Sequence, residues 1–182
     1  MKAYVGMDIP PKTIQYLNDN VSRPEFKYFA VPFANAMYNP TGVPLTADAT
    51  LPGGDEPYDL IVMQSVFTHF NPQDFVALLH VLRRHSASDA RLFFTCFIDN
   101  DMESDFLDSV PDKPLLMAYY KESFIRRMLG CAGWTPLALY APSNQMQHQF
   151  ACTPLPDIEH AVQYFGPCDF GQWESGRRER YV

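Results

Sequence analysis

The chain has 182 residues, 47% of them hydrophobic and 19% charged, which suits one well-buried domain and is too short for two ordinary ones. Fourteen Lys and Arg against 21 Asp and Glu give a net charge of −7, which argues against a protein that grips nucleic acid phosphates. No apolar run approaches the roughly 20 residues of a membrane span, and the first residues lack a signal-peptide pattern. The cysteines are widely spaced and form no CxxC pair: Cys96, Cys131, Cys152 and Cys168. We therefore expect a reduced, cytoplasmic protein with no metal site and no membrane or nucleic-acid partner.

Strand-like and helix-like segments alternate from the first residues onward. Residues 3–9 (AYVGMDI) form a short apolar strand that ends at two prolines, and residues 13–20 follow as a short helix that can begin on them. Residues 26–31 (FKYFAV) indicate a second strand. Residues 39–57 are rich in Pro, Gly, Thr and Asp, which is typical of a loop.

The middle of the chain carries the strongest local signals. Residues 60–66 (LIVMQSV) are nearly all apolar, as expected for a strand covered on both faces. Asn71, Pro72 and Asp74 then predict a helix start, since Asn caps, Pro suits the first turn and Asp faces the positive helix end. An amphipathic helix follows, because four apolar residues share one face: Phe75, Leu78, Leu79 and Leu82.

The remaining elements complete an α/β pattern. Residues 92–98 (LFFTCFI) predict a buried strand, residues 120–132 a second amphipathic helix, and residues 137–140 and 147–152 a closing antiparallel pair. This alternation predicts a doubly wound, mostly parallel α/β sheet with an antiparallel C-terminal strand pair. Ligands bind such sheets at the carboxyl ends of the strands, so residues that follow a strand are the candidates for a site.

Five blocks in a fixed order carry a family resemblance: YVGMDIPPKTIQYLNDN, FANAMYNP, YDLIVMQSVFTHFNPQDFVALLHVLRRH, RLFFTCFID and YYKESFIRRMLGCAGW. Together they resemble the class I S-adenosylmethionine-dependent methyltransferases over about residues 4–154. The resemblance implies a Rossmann-like fold in residues 1–154 followed by a tail, residues 155–182. It also implies S-adenosylmethionine as cofactor and a small molecule as methyl acceptor.

The resemblance assigns roles to individual residues. Asp8, with Ile9 beside it, matches the acidic residue that binds the cofactor's ribose hydroxyls, and a carboxylate has the acceptor oxygens to hold a diol. Asn35 lies in the cofactor-side loop after the family's third strand. Gln64 and Ser65 match the end of the family's fourth strand, and they complete the expected cofactor-binding set. In the turn behind them, His69 is the candidate catalytic base, because imidazole titrates near neutral pH.

Two departures from the family pattern leave alternatives open. The family places a strand and a glycine-rich loop some 20 residues before its ribose carboxylate, whereas Asp8 is the eighth residue here. We therefore expect a truncated sheet with a gap where the missing strand would lie. Three arrangements would close the gap: direct pairing of the two neighbouring strands, a strand from a second chain, or residues 161–171 of the tail. The family's adenine-contacting acidic position also corresponds to Pro32, which has no polar side chain.

The alternative function follows from these departures. The chain could be a degenerate methyltransferase-like protein without S-adenosylmethionine binding, acting as a partner subunit in a homo- or hetero-oligomer or using its pocket for other chemistry. On that view Asp8 is a solvated turn residue and His69 only orders its turn. Four acidic residues form one loop: Asp99, Asp101, Glu103 and Asp105. We expect this loop to be solvated, and binding of a divalent cation is the alternative.

Overall fold

A small parallel sheet and one helix form the first part of the molecule. The computed structural model describes residues 2–21, 23–54, 56–110, 112–142, 147–154 and 175–176. Strand β1 (Tyr4–Asp8) pairs in parallel with β2 (Phe26–Ala30), and helix α1 (Pro11–Asn20) connects them. The helix starts on its prolines as predicted, since proline lacks the N–H that a first turn leaves unpaired.

A larger sheet is built around β4 (Ser86–Ile98). Strand β3 (Tyr58–Met63) pairs with β4 in parallel, and β8 (Gln147–Pro154) pairs with it in antiparallel fashion. Strand β7 (Trp134–Tyr140) completes that side by pairing with β8. At the end of β4 three short strands extend the sheet in the order β6, β5, β9: β5 (Phe106–Asp108), β6 (Ala118–Tyr120) and β9 (Ser175–Gly176). The predicted mixed α/β architecture and the closing antiparallel pair are confirmed.

Two amphipathic helices cover one face of the larger sheet. They are α2 (Pro72–Arg84) and α3 (Glu122–Cys131), and each buries the face that its periodicity predicted. Their apolar side chains join alternate residues of β3, β4 and β8 in one core that includes Ile61, Leu92 and Phe150. The β5–β6 hairpin was not predicted, because strands of three residues are too short to show a period. None of the helices within the described ranges is long and apolar enough to cross a membrane.

The opposite face of the larger sheet is open. Leu60 and Val62 of β3 are 58% and 64% exposed, and Phe93, the β4 neighbour of Val62, is 40% exposed. The expectation that residues 60–66 are buried on both faces is therefore wrong, and β3 itself ends at Met63. The physical reason is the layering, because α1 packs on the small sheet while α2 and α3 share the other face of the large one.

The two sheets do not pair with each other in the part of the chain that the structure describes. In the described ranges β1 pairs only with β2, and β3 pairs only with β4, so direct pairing of β1 with β3 is not the solution adopted. A Cβ added to Gly53 would lie 3.2 Å from Val5 in β1 and 3.1 Å from the Tyr58 hydroxyl in β3, which brings the starts of both strands together. After their ends, Asn35 donates a hydrogen bond to the His69 carbonyl. The loop after β2 and the turn after β3 are therefore in direct contact.

Replacing Asn71 with alanine is expected to lower the free energy of unfolding by about 1 kcal/mol. Asn71 caps α2, since its Oδ1 accepts the Asp74 amide at 2.9 Å and its Nδ2 donates to the Asp74 carboxylate at 2.8 Å. Urea unfolding checks the value, with Asn20→Ala in the last turn of α1 as the control for loss of an exposed asparagine. Equal losses in both variants would contradict a specific capping role.

Candidate functional site

Asp8 ends β1 with its backbone fixed and its side chain exposed. The Asp8 carbonyl accepts the Val31 amide at 3.0 Å, which anchors it to the chain leaving β2. Its Oδ1 accepts the amide of Ile9 at 2.7 Å, and Oδ2 forms no hydrogen bond to the described residues. Ile9 is half-buried beside it. Asp8 therefore presents a carboxylate that retains acceptor capacity toward a ligand.

The side chains of Asn35 and Asn39 fix the backbone of the loop after β2 by hydrogen bonds. Asn35 is buried, and its Oδ1 accepts the amides of Met37 and Tyr38 at 3.0 and 3.1 Å. Its Nδ2 donates to the His69 carbonyl at 3.0 Å. Pro32, at the family's adenine position, offers its carbonyl to the Asn39 side chain at 3.2 Å. Asn35 therefore shapes the loop and joins it to the His69 turn, which leaves its side chain little capacity for a cofactor.

Ser65 leaves β3 in a strained conformation. Its φ of 53° lies in the left-handed region that non-glycine residues seldom adopt, and such strain is concentrated at functional sites. The Ser65 amide donates to Thr95 Oγ1 of β4 at 2.8 Å. Its hydroxyl accepts from Gln147 Nε2 at 2.9 Å and donates to Gln147 Oε1 at 3.1 Å. The preceding Gln64 is exposed and makes no side-chain hydrogen bond to the described residues.

His69 ends a single 3₁₀ turn (Phe67–His69) and contacts two loops. Its Nδ1 lies 3.1 Å from the Leu115 carbonyl, and its ring meets Tyr38 edge to face with centroids 5.5 Å apart. Because a carbonyl can only accept, the neutral imidazole must carry its hydrogen on Nδ1. Nε2 then holds the lone pair, which is the protonation state that a base requires. The turn-ordering role is also visible, since His69 ties the two loops together.

A pocket of about 210 Å³ lies between the loops that His69 joins. It is lined by Ala36, Met37, Lys113, Pro114 and Leu116. Most of the lining residues are apolar, Lys113 adds a basic residue, and the pocket is half open to solvent. An enclosed apolar cavity of about 150 Å³ accommodates benzene, so this open pocket has room for a single ring.

The Tyr120 side chain is hydrogen-bonded to the backbone of the His69 turn. It is fully buried, and its hydroxyl donates to the carbonyls of Phe70 and Phe67 at either side of that turn. Burial raises the pKa of Tyr120 well above its ordinary value, so the phenol remains a donor. Desolvation also raises the pKa of Asp74, at the start of the helix that follows.

The other candidate groups have structural partners. In the acidic loop, the Asp101 amide donates to the Asp99 carboxylate, and Asp105 forms a 2.8 Å ion pair with Arg127. No cluster of three potential metal ligands occurs among the residues that the structure describes. Cys96, Cys131 and Cys152 form no disulfide with one another, and burial raises the pKa of Cys152 to about 12. Cys168 and the tail segment 161–171 lie outside the described residues.

Comparison with solved structures identifies the architecture. A S-adenosylmethionine-dependent methyltransferase from Methanosarcina mazei superposes with a TM-score of 0.57 at 14% identity, covering 84% of this chain and 82% of that one. The chain has the class I methyltransferase fold. Magnesium protoporphyrin IX methyltransferase from Synechocystis PCC 6803, solved with bound S-adenosylmethionine, gives a TM-score of 0.52 at 16% identity. No protein-family model matches the sequence.

The methyltransferase fold is shared with proteins of differing size and chemistry. The match covers 84% of this chain in each case but only 59% of the Synechocystis enzyme. A pericyclic reaction enzyme also superposes, with a TM-score of 0.56 at 10% identity over 36% of its length. At these identities the likeness establishes the fold, and the reaction must be argued from the site itself.

Proposed function

We propose that this protein transfers a methyl group from S-adenosylmethionine to the hydroxyl of a small molecule. The observation that supports this proposal is the contact between the two loops that follow β2 and β3 in a methyltransferase fold. It joins an oriented imidazole at His69 to the loop next to Asp8, whose Oδ2 has no partner among the described residues. A carboxylate for the cofactor and a base for the acceptor are the two polar functions that such a reaction uses.

The residues at the strand ends fit the cofactor. Asp8 Oδ2 is free to accept from vicinal ribose hydroxyls, and the exposed Gln64 amide offers both a donor and an acceptor. Ser65 and Asn35 support these positions by fixing the backbone, since their side chains are already hydrogen-bonded. Ile9 adds an apolar side chain next to Asp8. In this arrangement Asp8 and Gln64 would hold the cofactor directly.

The pocket between the two loops is the proposed acceptor site. Its size and apolar lining favour a single-ring acceptor, and Lys113 favours an anionic or ionisable one. His69 contacts Tyr38, the chain neighbour of the lining residue Met37, and Leu115, the chain neighbour of the lining residues Pro114 and Leu116. A hydroxyl bound here would meet a base whose lone pair is already defined.

The chemistry of the step is a displacement at carbon. When held by Asp8 and Gln64, S-adenosylmethionine would supply the methyl group to the acceptor oxygen and would leave as its demethylated thioether. The acceptor's proton passes to Nε2 of His69, which becomes an imidazolium with Nδ1 still donating to Leu115. The loops orient the acceptor, and orientation contributes much of the rate in such displacements.

Replacing Asp8 with asparagine is expected to weaken S-adenosylmethionine binding by about 10–100-fold, because hydrogen bonds to a charged acceptor contribute about 1.5–3 kcal/mol. Isothermal titration calorimetry with S-adenosylmethionine and with S-adenosylhomocysteine measures this effect. The matched control is Asp19→Asn, which makes the same chemical change on the exposed side of α1.

The titration has one outcome that supports the proposed function and one that excludes it. Binding by the parent protein that weakens in D8N but not in D19N supports the proposal. Absence of heat with either ligand at millimolar concentration would exclude cofactor binding and with it the proposed reaction.

A second candidate, a binding subunit without S-adenosylmethionine, is favoured by the open sheet face. Leu60, Val62 and Phe93 form an exposed apolar row, and within the described ranges β3 pairs on one side only. Exposed apolar rows of this kind are typical of surfaces that contact another chain. Light scattering tests this function, since a stable monomer that binds the cofactor would contradict it.

A further inference from the structure

We propose that Asp108, acting through Leu115, is a positioning residue that fixes the tautomer of His69. The inference rests on the proposed function only for its consequence in catalysis. Its structural part concerns one chain of hydrogen bonds between a carboxylate, a backbone amide and carbonyl, and an imidazole, and it can be measured without any substrate.

The first link joins Asp108 to the backbone of Leu115. Asp108 is the last residue of β5, and its Oδ2 accepts the Leu115 amide at 3.0 Å across the intervening loop. Leu115 has a φ of 59°, a left-handed conformation that costs free energy for any residue with a Cβ. Oδ1 of Asp108 is buried without a partner among the described residues. The strained backbone and the unpaired carboxylate oxygen are two local costs of holding Leu115 in this position.

The second link joins the Leu115 carbonyl to His69 at 3.1 Å from Nδ1. A carbonyl oxygen in this place accepts from an N–H and repels a lone pair, so the neutral ring is held with its hydrogen on Nδ1. Nε2 is left as the acceptor. If the backbone at Leu115 moved, its carbonyl would no longer accept from His69. The tautomer would then not be selected, and Nε2 would carry the hydrogen in a large fraction of molecules.

The position of the base also depends on this chain. Leu115 follows Pro114 and precedes Leu116, and both of these line the pocket. The bond that selects the tautomer therefore also fixes the imidazole relative to the proposed acceptor site. A carboxylate that acts two steps away from the reaction thus sets both the direction and the protonation state of the base.

The test compares Asp108→Leu with Asp108→Asn by nitrogen NMR of the histidine rings. The chain has five histidines, and His69→Asn assigns the His69 signals by their disappearance. In the parent protein we expect the His69 ring to show protonated Nδ1 and unprotonated Nε2 at pH 8. D108N keeps an acceptor for the Leu115 amide and should keep this pattern, whereas D108L should give mixed tautomers. Circular dichroism verifies that each variant is folded.

Kinetics provide the second measurement. D108L is expected to lower kcat by about 10–100-fold, the usual cost of losing a partner that orients a functional histidine, while its affinity for S-adenosylmethionine stays unchanged. D108N should retain most of the activity. An unchanged His69 tautomer in folded D108L would overturn the inference, and so would equal tautomer mixtures in D108N and D108L. If the tautomer changes as expected but the parent protein transfers no methyl group, the positioning role stands and the proposed function fails.

Discussion

Replacing Phe67 with alanine is expected to lower the free energy of unfolding by about 3–5 kcal/mol, the usual loss for a buried phenylalanine. Phe67 is fully buried at the centre of an aromatic cluster. It stacks on Phe75 with centroids 3.8 Å apart and meets Phe94 and Phe70 edge to face. The cavity left by truncation lies against backbone that Tyr120 holds in place, so the surroundings cannot collapse to fill it. Chemical denaturation monitored by circular dichroism measures the loss.

The same substitution at Phe93 is the control. Phe93 is 40% exposed on the open face of the larger sheet, so F93A should cost no more than about 1 kcal/mol. This pair of variants removes the same atoms, in one case from the core beside the larger sheet and in the other from the open face of that sheet. Losses of equal size would mean that the open face is covered in solution, which would favour the binding-subunit function.

Replacing His69 with asparagine is expected to reduce kcat for methyl transfer by about 10²–10⁴-fold, the usual contribution of a general base. Asparagine is chosen because its Nδ2 can donate to the Leu115 carbonyl as the His69 Nδ1 does. The tie between the two loops is then retained while the lone pair of Nε2 is lost. Steady-state kinetics with a hydroxylated single-ring acceptor such as 4-hydroxybenzoate measure the change.

The comparison variant is His85→Gln, at the C-terminal end of α2 and away from both loops. It should leave kcat within about twofold, because the His85 ring bonds to Val81 and Leu51 and to neither loop of the site. Full activity in H69N would show that His69 only orders its turn, which is the structural role already evident from its bonds to Leu115 and Asn35.

Local signals in the sequence were sufficient for most elements of the fold. The start of α2 was predictable because Asn71 and Pro72 act through their own backbone geometry, and the structure confirms the cap. The coverage of β3 was not predictable. An apolar run such as residues 60–66 reports hydrophobicity, but it contains no information on which helices pack against each face, and the structure leaves Leu60 and Val62 exposed.

The residues of the candidate site also differ in how well the sequence alone could identify them. Asp8 and His69 were identifiable because each follows a strand, and their roles remain proposals. Their supporting partners were not identifiable. The bond from Ser65 to Gln147 spans 82 positions, and the partner of His69 is a backbone carbonyl 46 positions away. A backbone carbonyl cannot be identified as a partner from residue type. For Thr95 a signal was available, since it is the lone hydroxyl residue in the run LFFTCFI.

The division into two sheets has a consequence for energetics. Strand β4 pairs with three neighbours, whereas β1 and β2 pair only with each other among the described residues. Segments with so few tertiary bonds open by local fluctuation at a lower free energy than the rest of a domain. A ligand held by Asp8 would therefore suppress those fluctuations, and part of its intrinsic affinity would be consumed in ordering the first 30 residues.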